Sequence, residues 1–216
     1  AMLICLALLL TLAPAGFASE AKAVTVTGQS TAITADQTLQ QRREAAFQAM
    51  MDMATVMWRA TEDVTYTYGT STAPIKAGRL YRGIPYTYGR GDLATFLDFA
   101  GTPDEKGVYP ISGLTTQHLD GSGRHARIGN DCSGALMRAY SQIGNSFMFT
   151  TTPYMTEDRG YLRVGDYTSP TDQNYQTTEV CKSNGQQTMF EAYAQLQKAD
   201  AIVDYYSTGV HTRMVV

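Results

Sequence analysis

Basic charge is scarce in this chain. Its 17 Lys and Arg are outnumbered by 20 Asp and Glu, the formal charge is -3, and the pI is about 5.6. No cluster of Lys and Arg interleaved with aromatic residues occurs, so nothing is built to hold a phosphate backbone, and no nucleic-acid partner is expected. Long apolar runs are missing too. The stretch Met2 to Leu12 is too short to span a bilayer, and no stable membrane anchor is expected. Internal repeats, long low-complexity tracts and charge blocks are absent. What is left is an ordinary globular composition, 44% apolar and 17% charged, in 216 residues that can bury one substantial core. Histidine occurs only three times. His118 and His125 flank Asp120 in a Gly-rich loop, but the loop has neither the repeated carboxylates of a calcium site nor the H-x-x-x-H spacing of a zinc site. No metal and no cofactor are expected, and no convincing paired-carboxylate glycosidase site is present.

What is there begins with "AMLICLALLLTLAPAGFASEA". An apolar run followed by small residues reads as a signal peptide over residues 1–18, with Gly16 and Ala18 at the positions a signal peptidase inspects. The first residue is Ala and no basic segment precedes the run, so the n-region is read as truncated. Cys5 follows Ile4, where lipid attachment wants Gly or Ala. Residues 19–34 read as a flexible leader, and residues 35–76 as an N-terminal helix with its connection. Thr34 to Gln37 has the form of a capping box. From that start, Phe47, Met50, Met51, Ala54, Met57 and Trp58 recur at helical spacing and carry the helix to about Arg59, with the Met-rich stripe filling a core. The following "VTYTYGTSTAPIKAG" is of strand and turn type, and "GRGD" at Gly89 to Asp92 reads as an ordinary turn.

The most informative stretch is "IGNDCSGALMRAYSQIG", Ile128 to Gly144. Ala135, Leu136, Ala139, Tyr140 and Ile143 form one helical face, Asn130 and Asp131 are good N-cap residues, and Gly144-Asn145 supplies a stop. Cys132 then sits in the first helical turn, where unpaired N–H groups and the helix dipole stabilise a thiolate. Ser133 is a small polar neighbour and Gly134 keeps the turn uncluttered. Three readings stay open for such a cysteine: a nucleophile, half of a disulfide with Cys181, or a small buried apolar residue. A nucleophile needs an imidazole partner. His211 opens "HTRMVV" after the strand-like "ADAIVDYY" and the turn "STGV", which puts a histidine on a sheet far from Cys132 in sequence, as Cys-His sites are assembled. A helix is predicted from about Gln187 to Gln197.

At these residues the chain resembles the NlpC family of bacterial cell-wall cysteine peptidases, papain-like enzymes that cut the peptide stems of peptidoglycan. "NDCSGALM" is similar to the family's D-C-S-G-hydrophobic motif, and "YRGIPYTYGRG", Tyr81 to Gly91, to its G-x-P-Y-x-x-G segment. "LQKADAIVDYY" resembles the L-x-x-G-D strand, with Ala199-Asp200 where Gly-Asp is usual, and "GVHTRMVV" resembles the histidine strand. The four blocks keep the family's order. The resemblance implies an α+β papain-like fold, with N-terminal helices packed on a central antiparallel sheet, and a catalytic domain over residues 77–216 truncated after the histidine strand. It implies Cys132 and His211 as the catalytic pair, and Tyr86, Asp131 and Ser133 as oxyanion or substrate-site candidates beside the Cys132 backbone N–H. The third polar residue of the family's site is expected downstream of Val216. Cys132 and Cys181 are expected to be unbonded, because a bridge would consume the nucleophile.

The implied protein is a monomeric bacterial peptidase, secreted or cell-wall associated, whose partner is its peptidoglycan peptide substrate. The same fold accommodates an N-acetylmuramoyl-L-alanine amidase or a non-catalytic wall-binding module. Two segments are longer than usual in the family, Asp92 to Asn130 and the stretch that includes "TEDRGYLRVGDY". Both are read as walls of the substrate cleft. Tyr66, Tyr68, Tyr81 and Tyr88 are read as lining a groove for a sugar-peptide ligand.

Overall fold

A computed structural model of the chain describes residues 38–119, 128–143, 161–169, 176–206 and 209–216. The signal-peptide and leader segments, Asp120, His125, the Gly144-Asn145 stop and the turn at 207–208 lie outside the described residues. Helix α1, Leu39–Thr55, is capped by Thr38. The Gln41 N–H donates to the Thr38 hydroxyl at 3.3 Å, and the Thr38 N–H donates to Gln41 Oε1 at 2.8 Å. The capping box is therefore Thr38 to Gln41, which corrects the predicted start at Thr34 to Gln37. Both frames carry the same signature, and local sequence does not choose between them.

The helix also ends before Arg59. Val56 turns extended, and Met57–Ala60 form strand β1. Trp58, only 2% exposed, explains the change. Its indole N–H donates to the Gly83 carbonyl at 2.8 Å, and its ring stacks on Tyr81 at 4.7 Å and meets Phe96 edge-on at 6.0 Å. Residues spaced as one helical stripe thus serve two cores.

The first core gathers around Trp58. Strand β1 pairs antiparallel with β4 (Tyr81–Arg82) and parallel with β5 (Val108–Ile111). Between β1 and β4 the hairpin of β2 (Val64–Tyr68) and β3 (Ser71–Ile75) turns at Gly69. Helices α2 (Leu93–Ala100) and α3 (Thr116–Leu119) close the layer with Phe96 and Leu119, both fully buried. The described part of the Asp92 to Asn130 segment builds core, since Phe96, Ile111, Leu114 and Leu119 come from it. A parallel pair needs a long connection. Here β2 to β4 and α2 provide it.

The second core joins α1 to α4 (Cys132–Ser141) and to the hairpin of β6 (Ala201–Tyr206) and β7 (Gly209–Met214). Ala46, Leu136, Met137 and Tyr140 are buried there, with Phe47, Met50, Val203 and Met214 packed against them. Arg43 of α1 reaches the chain before β6, donating to the Lys198 carbonyl at 2.9 Å and pairing with Asp200 at 2.5 Å. The buried Tyr140 hydroxyl donates to the Ala199 carbonyl at 2.6 Å. Ala199 itself has φ 70, a left-handed conformation that disfavours a Cβ. Replacing Ala199 with Gly is expected to raise stability by up to about 1 kcal/mol, read as a shift of the urea midpoint at constant slope.

The molecule is thus mixed α+β, but the sheets are small. Among the described residues they are the β4-β1-β5 sheet and two hairpins, where the resemblance implied one central antiparallel sheet. Helix α5, Thr177–Tyr193, begins ten residues before the predicted helix and is interrupted at Gly185, whose φ is 79. Cys181 accordingly lies in a helical turn and not in a loop. Asn184, just before the break, exchanges side-chain bonds with the Thr168 N–H and carbonyl, both at 2.7 Å, and so ties α5 to the 161–169 segment. No helix among the described residues is long and apolar enough to cross a membrane.

Candidate active site

Cys132 is the first residue of α4, and Asp131 is its cap. One carboxylate oxygen of Asp131 accepts from the Gly134 N–H at 2.6 Å and from the Ser133 hydroxyl at 2.9 Å. Ser133 is 4% exposed and turned into this cap. The two residues read as oxyanion or substrate-site candidates are thus engaged in holding the cysteine helix by its end. Gly134 fits because a Cβ there would lie 3.1 Å from the Asp131 oxygen and 3.2 Å from Asn130 Cβ.

The residues before the helix are stitched to the Pro85 to Gly91 loop. The buried Asn130 donates its N–H to the Pro85 carbonyl at 3.1 Å, accepts from the Thr87 N–H at 3.0 Å, and donates Nδ2 to the Gly91 carbonyl at 3.1 Å. The Gly91 N–H returns to the Gly129 carbonyl at 2.9 Å, and the buried Thr87 hydroxyl donates to Ile128 and accepts from Gly89. Farther along α4, Arg138 Nε donates to the Arg90 carbonyl at 2.8 Å. Burial works to raise the Asp92 carboxyl, but the Thr95 N–H and hydroxyl and the Arg138 guanidinium outweigh it and hold it below the usual carboxylate range. Sequence reasoning missed Asn130 and Thr87 as organisers. The only local signal was Asn130 as a second cap candidate beside Asp131.

This clamp sets Tyr86 over the end of α4. The Tyr86 hydroxyl lies within hydrogen-bonding reach of both the Cys132 side chain and its backbone N–H, and the Tyr68 hydroxyl lies within reach of Tyr86. Burial is the main cause that pushes the Tyr68 hydroxyl well above its ordinary range, and its hydrogen bond to Tyr86 adds to the effect. Burial likewise raises Tyr86; the bond from Tyr68 opposes that, and the Cys132 sulfur reinforces it. The Tyr66 hydroxyl donates to the Tyr86 carbonyl at 3.0 Å. Tyr68 stacks on Tyr88 at 4.1 Å between centroids. Of the four tyrosines read as a groove, Tyr68 and Tyr88 stand at the site, with Tyr86 and Tyr88 44% and 48% exposed. Tyr66 is buried beneath them. Tyr81 covers Trp58 and accepts the Lys76 N–H at 2.7 Å.

Neither Cys132 nor Cys181 is in a disulfide. Burial pushes the Cys181 thiol up, and the Asp204 carboxylate adds to that, which suits an inert thiol. His211 is the third residue of β7 and stands directly across from Asp204. Because side chains alternate along a strand, His211 shares its face with Asp204 and with Arg213, which pairs with Asp204. The other face carries Val203 and Met214, the residues packed on the α1/α4 core. The structure therefore brings Tyr86, Asp131 and Ser133 to Cys132, and it sets His211 on the face of the hairpin turned from α4. His118 takes the Thr115 N–H on Nδ1 at 3.1 Å and packs on Phe99 at 4.6 Å. No cluster of three His, Cys, Asp or Glu suited to a metal occurs among the described residues. Comparison with protein-family models, curated proteins and solved structures finds no match for the chain.

Proposed function

We propose that this chain is a papain-like cysteine peptidase of the NlpC type, secreted or held at the bacterial cell wall, that hydrolyses amide bonds in peptidoglycan stem peptides. The observation that carries the reading is Cys132 as the first residue of a capped helix with the Tyr86 hydroxyl at its sulfur and N–H. The thiolate attacks the amide carbonyl carbon, and the negative charge passes to the carbonyl oxygen. The Cys132 N–H and the Tyr86 hydroxyl are the donors for that oxygen, which takes the place of the Tyr86 oxygen at the N–H. The adduct collapses with cleavage of the C–N bond; the resemblance assigns to His211 the proton given to the departing amine and the base that takes one from the water that opens the thioester.

One observation favours a second reading, a wall-binding module without catalysis: His211 lies on the Asp204–Arg213 face of the hairpin. Two measurements separate the readings. Purified peptidoglycan treated with the protein is expected to release peptide fragments while its glycan chains stay intact. New reducing sugar ends, or no release at all, would count against the peptidase, and lactyl groups stripped of whole peptides would identify the amidase. Iodoacetamide is expected to label Cys132 faster than Cys181, whose thiol burial and Asp204 push up. Equal labelling of the two cysteines at every pH would point to the binding module.

A further inference from the structure

We infer that the β2–β3 hairpin is a brace for the Cys132 site and that Tyr68, through its hydroxyl, is a positioning residue that aims Tyr86 at the nucleophile. The inference rests on the peptidase reading above. It adds a part of the chain, Val64 to Ile75, that lies outside the four motif blocks. Tyr66 and Tyr68 are two apart on β2 and so project from one face of the hairpin. Tyr66 fixes the backbone of Tyr86 by donating to its carbonyl at 3.0 Å. Tyr68 fixes the ring: its centroid is 4.8 Å from that of Tyr86 and 4.1 Å from that of Tyr88, so it is held between the two. The far side of Tyr86 is secured by Asn130, which bonds the residues on either side of it. Tyr86 is therefore held at its carbonyl, at its ring and through both flanking residues.

The hydroxyl has one proton to give. With Tyr68 donating to the Tyr86 oxygen, the proton of Tyr86 is left for the Cys132 sulfur. A donor that is itself a hydrogen-bond acceptor is polarised and donates more strongly. The arrangement runs from Tyr68 to Tyr86 to Cys132, and it fixes where the Tyr86 hydroxyl meets the sulfur.

Tyr68→Phe keeps the ring, the stack and the hairpin and removes only the hydroxyl. The expected result is that Cys132 in the full chain labels with iodoacetamide about three- to tenfold more slowly at a fixed pH. Labelling of Cys181 is expected not to change. Tyr86→Phe should slow Cys132 at least as much, and adding Tyr68→Phe to it should change nothing further, because Tyr68 acts only through Tyr86. On peptidoglycan, Tyr68→Phe should lower kcat and leave KM in place. Unchanged Cys132 labelling in Tyr68→Phe, or additive effects in the double variant, overturns the brace while leaving the peptidase reading intact, provided wild-type Cys132 still outruns Cys181. If wild-type Cys132 labels no faster than Cys181, the peptidase reading fails and takes the brace with it.

Discussion

Replacing Cys132 with Ala is expected to lower peptide release from purified peptidoglycan by about a thousandfold or more, with the unfolding midpoint little changed. The side chain lost is small, partly buried and outside the set of buried residues that hold α4 to α1, so a large effect on rate with a small one on stability would separate chemistry from folding. His211→Ala is expected to lower release to a similar degree, because members of a unit that acts together are not additive and either loss stops acylation. The double variant should be no slower than the slower single one. The face of the hairpin on which His211 stands sharpens this test. Its cross-strand neighbour is Asp204, and Arg213 pairs with the same carboxylate. A histidine serving only that face would, when removed, perturb stability through Asp204 and leave peptide release unchanged. Such a result would remove His211 from the mechanism: with release still lost in Cys132→Ala another base serves the sulfur, and with release unchanged there too the cysteine-peptidase reading fails.

Much of the site was legible in sequence because its signals are local. The cap at Asp131 and the helix behind Cys132 follow from residues within a turn of one another. The β2–β3 and β6–β7 hairpins were legible for the same reason, since alternation and a short turn specify them. What sequence could not show is pairing at a distance. Trp58 fits a helical stripe as well as a strand, and only its contacts with Gly83, Tyr81 and Phe96 decide the matter. The 92–130 segment looked like a loop wall because β5 is four residues long and pairs in parallel with a strand about fifty residues earlier. Asn130 carries its information through Pro85, Thr87 and Gly91, none of which is near it in the chain. The face of His211 is set by register with β6, and a strand read by itself leaves that open.

The last prediction concerns that clamp. Gly129→Ala is expected to destabilise the protein by about 2–4 kcal/mol, far more than an ordinary surface substitution. Two effects add at this position. Gly129 has φ 90, where an L side chain is strained, and a Cβ built there runs into the Pro85 carbonyl oxygen and sits 3.1 Å from Thr87 Cγ2. Neither neighbour can yield cheaply. The Pro85 oxygen is backbone already bonded to the Asn130 N–H, and Thr87 is fully buried. Gly78→Ala serves as the comparison, since Gly78 also has positive φ, at 71, yet a Cβ there meets nothing within 4 Å. Its expected loss is the backbone term alone, about 1 kcal/mol. Urea unfolding of the two variants, at equal slope, therefore measures the contact with Pro85 by difference. Because the same contact carries Tyr86, Gly129→Ala should also slow iodoacetamide labelling of Cys132 at a fixed pH under conditions where the variant is still folded, whereas Gly78→Ala should not. Equal urea midpoints and equal labelling rates for the two variants would mean that the 85–91 loop is not what holds Tyr86 at the sulfur.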